Sequence, residues 1–419
     1  CYANMFEGCT SLTDAPKLPS SKALQYCYAN MFAGCTSLTG APELPATELA
    51  PYCYKNMFEG CTSLTTVATL SATKLYPYCY KNMFKNCASL TNAPELLATT
   101  LTGYCYESMF EGCSSLNNIP TLSAWTLSHS CYKYMFKDCI NLTSAPKRLA
   151  SILINYCYAG MFEGCSSLIS IPDFTEVTDL AVGSLSSMFA GCTSLTKAPK
   201  LPTTTLSSYC YESMFKDCTS LTDAPELPVM KLAPSCYVSM FEGCTSLTGT
   251  PALPAIRVAK NCYANMFEGC TSLTETPELP ATIVGDYAYG YMFAKCSSLT
   301  EIPVLPANSV GLYAYHQMFI DCSNMSGTIN LPATNLSAGC YEKMLYGCSN
   351  ITGINVNFTE WEVPYVENVD GVESITNVII TSSWVTNISP SGTFTCPNTL
   401  DISKIGSDYI PENWTISVK

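Results

Sequence analysis

The chain has 419 residues and a formal net charge of −13, with 47% apolar and only 13% charged residues. The acidic balance argues against nucleic acid and against anionic membrane surfaces as partners, because both are bound by clustered Lys and Arg. No run of about 18 apolar residues occurs, so the sequence contains no candidate membrane-spanning helix. The low charge leaves the surface to Ser, Thr, Asn and Tyr, which favours an extracellular location.

A methionine recurs fourteen times, from Met5 to Met344, at intervals of 26 residues with one step of 27 between Met161 and Met188. Phe follows it in thirteen copies, and Leu345 follows it in the last. A fixed period of this length is typical of solenoids, in which each repeat buries its apolar face only against its neighbours. The sequence therefore predicts a domain of fourteen repeats over residues 1–353.

Each repeat opens with a segment whose apolar residues are Cys27, Tyr28, Met31, Phe32 and Cys35 in the second copy. The positions i, i+1, i+4, i+5 and i+8 form one stripe of a short helix. The residue before the second Cys is Gly in nine copies, which fits the left-handed conformation that ends many helices. We expect the Tyr of this segment to pack in the core with Met and Phe, rather than to form a carbohydrate-stacking ladder.

The following segment, Leu38 to Pro45 in the second copy, is short and bounded by prolines, so it predicts a strand of about four residues. Stacked repeats of this kind predict an α/β solenoid, a right-handed coil like that of leucine-rich repeats. A parallel sheet of short strands would cover one face, and a row of short helices would cover the other.

The 26 cysteines fall into two positions of the repeat, four residues before and four residues after Met, with Cys396 in the tail. Two residues eight apart on a helix lie about 12 Å apart, whereas bridged Cα atoms lie within about 7 Å. Ser184, Ala288 and Ala314 replace the first Cys while the second remains. We interpret the cysteines as free core thiols, with bridges between neighbouring repeats as the open alternative. No Cys-x-x-Cys spacing predicts a metal.

Two places break the period. The repeat with the extra residue carries Asp173, Glu176 and Asp179, which we interpret as a solvated bulge, with a cation site as the alternative. Residues 354–419 hold three of the four tryptophans and alternate Val and Ile with polar residues. They predict a small β-rich C-terminal cap that covers the last open sheet edge, with a ligand site among its aromatic residues as the alternative.

The run Cys-Tyr-Ala-Asn-Met-Phe-Glu-Gly-Cys-Thr-Ser-Leu-Thr, followed by Ala-Pro-Glu-Leu-Pro-Ala-Thr, resembles the BspA-like leucine-rich repeats of bacteroidete surface proteins. The tail segments 391–394 and 410–415 are similar to the ending of such proteins. The resemblance covers nearly the whole chain and implies adhesion or recognition at a cell surface. An anchor or signal segment is expected upstream of Cys1, because the sequence starts there with neither an initiator Met nor a cap for the first repeat.

No pattern for catalysis is found. The two histidines, His129 and His316, lack nearby partners in sequence, and we expect both to be ordinary surface residues. No Gly-x-Ser-x-Gly elbow, phosphate-binding loop or His-Glu-x-x-His occurs, and the carboxylates are scattered one per repeat. The sequence therefore predicts a protein that is not an enzyme and that has no metal and no cofactor.

Binding is expected from positions that vary between copies while the core positions stay fixed. Two such rows fall in or beside the predicted strand, and they would line the sheet face where solenoids commonly bind. The alternative is that solvent tolerates any residue there. The candidate residues are Asp14, Asn92, Asn118, Lys197, Asp223 and Glu275 in the first row, and Lys17, Glu43, Glu95, Lys147, Lys200, Glu226 and Glu278 in the second.

The resemblance to BspA-like surface proteins implies a protein or glycan ligand on a host or neighbouring cell, and the rows mark where this chain is expected to bind it. The alternative function is that of a structural spacer in an extracellular assembly, such as a phage tail or a surface layer.

Overall fold

The structure is a computed structural model that describes residues 2–18, 21–67, 69–202, 205–369 and 372–419. It divides into two compact units. The first unit comprises Cys1–Thr204 with Ser213–Thr219, and the second comprises Thr205–Glu212 with Ser220–Lys419. Each unit is a β-solenoid, and the described residues contain strands and turns but no helix.

The segment predicted to be a helix is instead a run of consecutive turns, which we call the turn segment (residues 26–35 in the second repeat). Its backbone enters the left-handed region at every fourth residue, with φ of 54° at Tyr26, 54° at Asn30 and 73° at Gly34. A right-handed helix needs a negative φ at every residue. The predicted α/β fold class, with helices on one face, is therefore wrong, and the true period of the buried positions is four residues.

The backbone hydrogen bonds of the turn segment explain why it forms only in a stack. Within one repeat, Met31 N–H donates to the carbonyl of Tyr28 at 3.2 Å. Between these turns, Tyr28 N–H donates to Cys53 O at 2.9 Å and Phe32 N–H to Met57 O at 2.9 Å, both in the next repeat. A helix would satisfy all of these donors internally. Here every second N–H depends on the neighbouring coil.

The predicted four-residue strands are shorter than expected. In the first unit they are reduced to isolated parallel bridges, such as Asp14 with Gly40 and Leu44 with Leu70. The described residues of the second unit form ten strands, which are β1 (Arg257–Val258), β2 (Ile283–Val284), β3 (Ser309–Val310), β4 (Ser326–Leu331), β5 (Asn335–Leu336), β6 (Asn350–Val356), β7 (Glu362–Val369), β8 (Val372–Ile379), β9 (Thr393–Cys396) and β10 (Thr415–Val418).

These strands form three sheets. Strands β1, β2, β3 and β5 pair in parallel in that order, and β10, β9, β6 and β4 form a second parallel sheet. Strands β7 and β8 make an antiparallel hairpin. The parallel sheets arise because equivalent short segments of successive coils lie side by side.

The turn ladder continues beyond the last repeat. Tyr341 N–H donates to Ile380 O at 2.9 Å, and Leu345 N–H donates to Trp384 O at 3.0 Å. Ser383 and Asn387 have φ of 53° and 57°, four residues apart as in the repeats. Trp384, which is fully buried, takes the place of the repeat Met. The sequence predicts a boundary between the repeats and the C-terminal cap after residue 353, and strand β6 runs through this position. The division of the chain at this boundary stays a prediction.

The core of each unit consists of columns of identical side chains. Phe32 and Phe58 stack with ring centroids 5.5 Å apart and planes within 5°. Tyr28 and Tyr54 stack in the same way at 5.5 Å, and both are fully buried. This confirms that the Tyr of the turn segment packs in the core.

Candidate functional site

The two predicted rows lie on the surface. All thirteen candidate residues are exposed. In the first unit, the coil stacking brings row members of adjacent repeats into contact, since Asn118 Nδ2 donates to Asn92 Oδ1 at 2.7 Å. We call the surface formed by the two rows the row face. Its role in binding stays a prediction.

The row face of the second unit is acidic. Asp223 and Glu275 lie in the first row, Glu226 and Glu278 lie in the second, and Glu301 follows Glu275 by one repeat. These carboxylates form no ion pair with any residue in the described part of the chain. An acidic surface of this kind suits a cationic partner.

Two grooves open beside these carboxylates. A groove of about 390 Å³ is lined by Glu278 and Glu301 together with Pro277, Leu279 and Val304. A second groove, of about 360 Å³, is lined by Glu226 and its neighbours from two successive coils, which are Ala224, Pro225, Leu227, Pro228, Thr250, Pro251 and Ala252. Each groove therefore combines apolar walls with a charged rim.

The basic members of the rows belong to the first unit. Lys147, Lys197 and Lys200 are exposed there. Beside Lys147, Arg148 forms an ion pair with Glu176 at 2.8 Å. The hydrogen bond that Asp173 accepts from the Thr175 N–H lowers the pKa of its carboxyl. Within the described ranges, no three His, Cys, Asp or Glu side chains are grouped to hold a metal ion.

The cysteines that the structure describes are free thiols, and every one of them is buried except Cys9. Burial raises the pKa of the Cys61 thiol to about 12, so the thiol stays protonated. The interpretation as core thiols is confirmed, although the helix on which the distance argument rested is absent. Cys236 and Cys262 lie in adjacent coils, where their thiols share a hydrogen bond with the Sγ atoms 2.8 Å apart and form no disulfide.

Six stretches of the chain match the family described as "BspA type Leucine rich repeat region", at residues 2–102, 53–169, 81–222, 185–289, 234–352 and 260–399. The chain belongs to this family. No curated protein matches the chain. BspA-type repeat proteins are typically surface-associated, non-enzymatic binding scaffolds. The described residues of this BspA-type chain include no helix that could cross a membrane.

His316 is less exposed in this BspA-type chain than the sequence suggested. Its side chain is 14% exposed, and its Nε2 lies 3.2 Å from the hydroxyl of Tyr291. Its Nδ1 lies 3.8 Å from the Glu342 carboxylate. Burial lowers the pKa of His316, although the Glu342 carboxylate opposes that shift.

A second column of tyrosines was missed by the sequence analysis. Tyr26, Tyr52, Tyr78 and Tyr104 stack on the surface of the BspA-type repeats of the first unit, with ring centroids 4.7, 4.6 and 4.6 Å apart. The pattern that could have revealed it is a Tyr directly before the first Cys position in eight copies. We call this set the surface tyrosine column; its members are Tyr26, Tyr52, Tyr78, Tyr104, Tyr156, Tyr209, Tyr287 and Tyr313.

Proposed function

We propose that this chain is a non-enzymatic binding protein of a cell surface and that it binds a protein of a host or neighbouring cell through its row face. The observation that carries the proposal is the exposure of all thirteen candidate residues, whose identity varies between repeats while the core columns stay fixed. A solenoid builds its core from repeated residues and is free to vary its exposed rows, which is how such proteins acquire specific binding surfaces.

The row face of the second unit suits a partner that carries positive charge beside apolar side chains. Its carboxylates rim two grooves whose walls are apolar. A protein segment with Lys or Arg beside an apolar side chain would meet both features, because opposite charge steers the encounter and apolar burial holds the complex. A neutral glycan would gain nothing from the charge, so a protein is favoured.

The test uses the chain 1–419 on an array of host matrix proteins, mucins and glycans. The test variant combines Asp223→Lys, Glu226→Lys, Glu275→Lys and Glu278→Lys. We expect saturable binding of the natural chain to a protein, and its loss in the variant by about tenfold or more. The thermal unfolding midpoint should be nearly unchanged, because exposed substitutions usually alter stability by less than about 0.5 kcal/mol.

A matched control reverses four other exposed carboxylates, with Glu7→Lys, Glu360→Lys, Glu373→Lys and Glu412→Lys. These lie outside the rows but change the net charge by the same amount, so binding should survive. Equal loss in both variants would show a net-charge effect and would contradict row-face recognition. If the chain binds nothing on the array and the pure chain self-assembles, the result would instead support the alternative function as a structural spacer.

A further inference from the structure

The antiparallel hairpin of β7 and β8, which we call the β-arm, is open to solvent on both of its faces. Residues 364–366 of β7 and residues 373–377 of β8 are all exposed. Consecutive side chains of a strand point to opposite faces, so both faces of the arm reach solvent over this length. Within the described chain, β7 and β8 pair only with each other. A two-stranded hairpin is marginally stable by itself, and a third strand would stabilise it.

The register of the β-arm shows which of its backbone groups point away from the hairpin. It places Trp361 opposite Ile380 at the base of the arm, and the Ile380 N–H donates to the Trp361 carbonyl at 3.0 Å. In an antiparallel ladder, opposed residues that bond to each other alternate with opposed residues that do not, and the backbone groups of the second kind point outward. Counted from this bonded pair, the outward positions include Pro364 on β7 and both Ile375 and Asn377 on β8.

The two edges of the β-arm differ in what they offer to a third strand. Pro364 has no N–H, so the edge of β7 lacks a hydrogen-bond donor in its exposed part. The edge of β8 keeps the N–H and C=O groups of Ile375 and Asn377, and both residues are exposed. In the part of the chain that the structure describes, these four groups form no backbone bond outside the arm. The edge of β8 is therefore the one that is open to strand addition.

The side chains along the β8 edge set the chemistry of the partner. Val366 and Ile375 lie directly opposite each other and are 54% and 73% exposed, which forms an apolar patch on one face of the arm. Glu373 lies two residues from Ile375 on the same face, is exposed and has no ion-pair partner among the described residues. Residues 360–380 contain five carboxylates and no Lys or Arg. One of the five, Glu362, forms an ion pair with Lys404 at 3.2 Å.

We propose that the β-arm binds an extended cationic segment of a partner protein, which adds to the edge of β8 as a third strand. The segment places an apolar residue beside Ile375 and a Lys or Arg beside Glu373. These two residues are two positions apart, because side chains on one face of a strand recur at every second residue. A second copy of this chain suits the edge less well, because it brings another acidic arm and a net charge of −13. The β-arm lies outside the row face, so this proposal does not rest on the proposed function.

The probe is the fluorescently labelled peptide Thr-Val-Thr-Lys-Thr-Val-Thr-Lys, and its binding to the chain 1–419 is measured by fluorescence anisotropy. Its Val and Lys residues share one face of a strand, so it offers the required pair in either chain direction. We expect saturable binding with a Kd on the order of 100 μM. A second peptide carries N-methyl groups on its Val and Lys residues, which keeps the side chains and removes the N–H groups that would face β8. A third peptide has Glu in place of Lys. Both control peptides should bind at least about tenfold more weakly.

The decisive variant of the protein is Asn377→Pro. It removes an outward N–H and breaks no bond between β7 and β8, because Asn377 lies opposite Pro364 at an unbonded position. The matched control is Asn377→Ala, which loses the same side chain and keeps the N–H. Asn377→Pro should weaken peptide binding by about tenfold or more, and Asn377→Ala should leave it unchanged. Glu373→Lys leaves the backbone intact and should also weaken binding, so the proposal can fail even if the proline disturbs the arm.

The proposal is overturned if the parent peptide does not bind, if the N-methylated peptide binds as tightly, or if Asn377→Pro and Asn377→Ala bind alike. Dimerisation of the natural chain in sedimentation, abolished by Asn377→Pro, would assign the edge to a second copy and would overturn it as well. The charge variants of the row-face test separate the two sites. The fourfold row-face variant should keep peptide binding, whereas its control, which includes Glu360→Lys and Glu373→Lys, should weaken it.

Discussion

The thiol of Cys61 donates a hydrogen bond to the carbonyl oxygen of Phe32 at 3.1 Å, across 29 residues of sequence. The same carbonyl accepts the N–H of Cys35 at 3.0 Å within its own repeat. One oxygen thus joins a turn to the following coil, using both of its lone pairs. Equivalent bonds recur through both units, for example from Cys113 to Phe84 and from Cys296 to Phe267. A small, weakly donating side chain suits this buried position, which explains the Cys found there in all fourteen repeats.

The first prediction concerns this bond. Cys61→Ala removes a buried donor and leaves a small void, so the unfolding free energy should fall by about 1–2 kcal/mol. The measurement is the urea concentration at the midpoint of unfolding, monitored by circular dichroism. Cys9→Ala is the matched control, because Cys9 occupies the same repeat position but is exposed. Equal midpoints for the Cys61 and Cys9 variants would mean that the bond contributes nothing measurable.

The second prediction concerns thiol reactivity. The pKa of Cys61 and of Cys113 is raised by burial to about 12, which leaves the thiolate scarce at neutral pH. With a thiol-specific chromogenic reagent, Cys9 should be the only fast-reacting cysteine among the residues that the structure describes. Denaturation without reductant should release nearly all 26 thiols. A large shortfall after denaturation would show that the cysteines are bridged.

The third prediction tests the left-handed positions of the turn segment. Gly112 has φ of +73°, and a Cβ there would collide with the Asn86 side chain of the preceding repeat. Gly8 has φ of +70° with nothing within 4 Å of its Cβ position. Both Gly→Ala changes strain the backbone by about 1 kcal/mol, and Gly112→Ala adds the collision. The thermal unfolding midpoint should therefore fall further for Gly112→Ala than for Gly8→Ala. An equal fall in the two variants would argue against close contact between the coils.

The fourth prediction concerns pH. Burial lowers the pKa of His316, while the charges of Glu342 and Lys343 act in opposite directions on it. Above the ordinary histidine pKa of about 6.5, both folded and unfolded states hold a neutral ring, and the fold loses nothing. As the pH falls through about 6.5, the unfolded state takes up the proton first, so stability decreases.

The check is the urea midpoint at about pH 7.5 and about pH 5 for the natural chain and for His316→Gln. Protonation of the carboxylates lowers the stability of both proteins by the same amount, and only the natural chain also has the His316 contribution. The natural chain should therefore lose more stability on acidification than the variant. A larger loss in His316→Gln would reverse the sign of the proposed linkage.

Much of the architecture could be read from the amino-acid sequence. The 26-residue period and the burial of Tyr28, Met31 and Phe32 were predicted correctly, because stacking requires the same core side chain in every repeat. The conformation of that segment was predicted incorrectly. Over eight residues, the positions i, i+1, i+4, i+5 and i+8 fit a helical stripe as well as a chain of four-residue turns.

The sequence by itself determined the solenoid, its core columns, the family and the exposed rows, because each depends on which residues recur. Tertiary structure alone decided between helix and turn. Every second N–H of the turn segment bonds to the neighbouring coil, as Phe32 N–H does to Met57 O, and that bond exists only once the coils are stacked. A cavity on the turn surface of the second unit was likewise decided in three dimensions. Ser235 and Asn261 look like ordinary surface residues in sequence, and they leave a cavity only because Tyr209 and Tyr287 stand on either side of them.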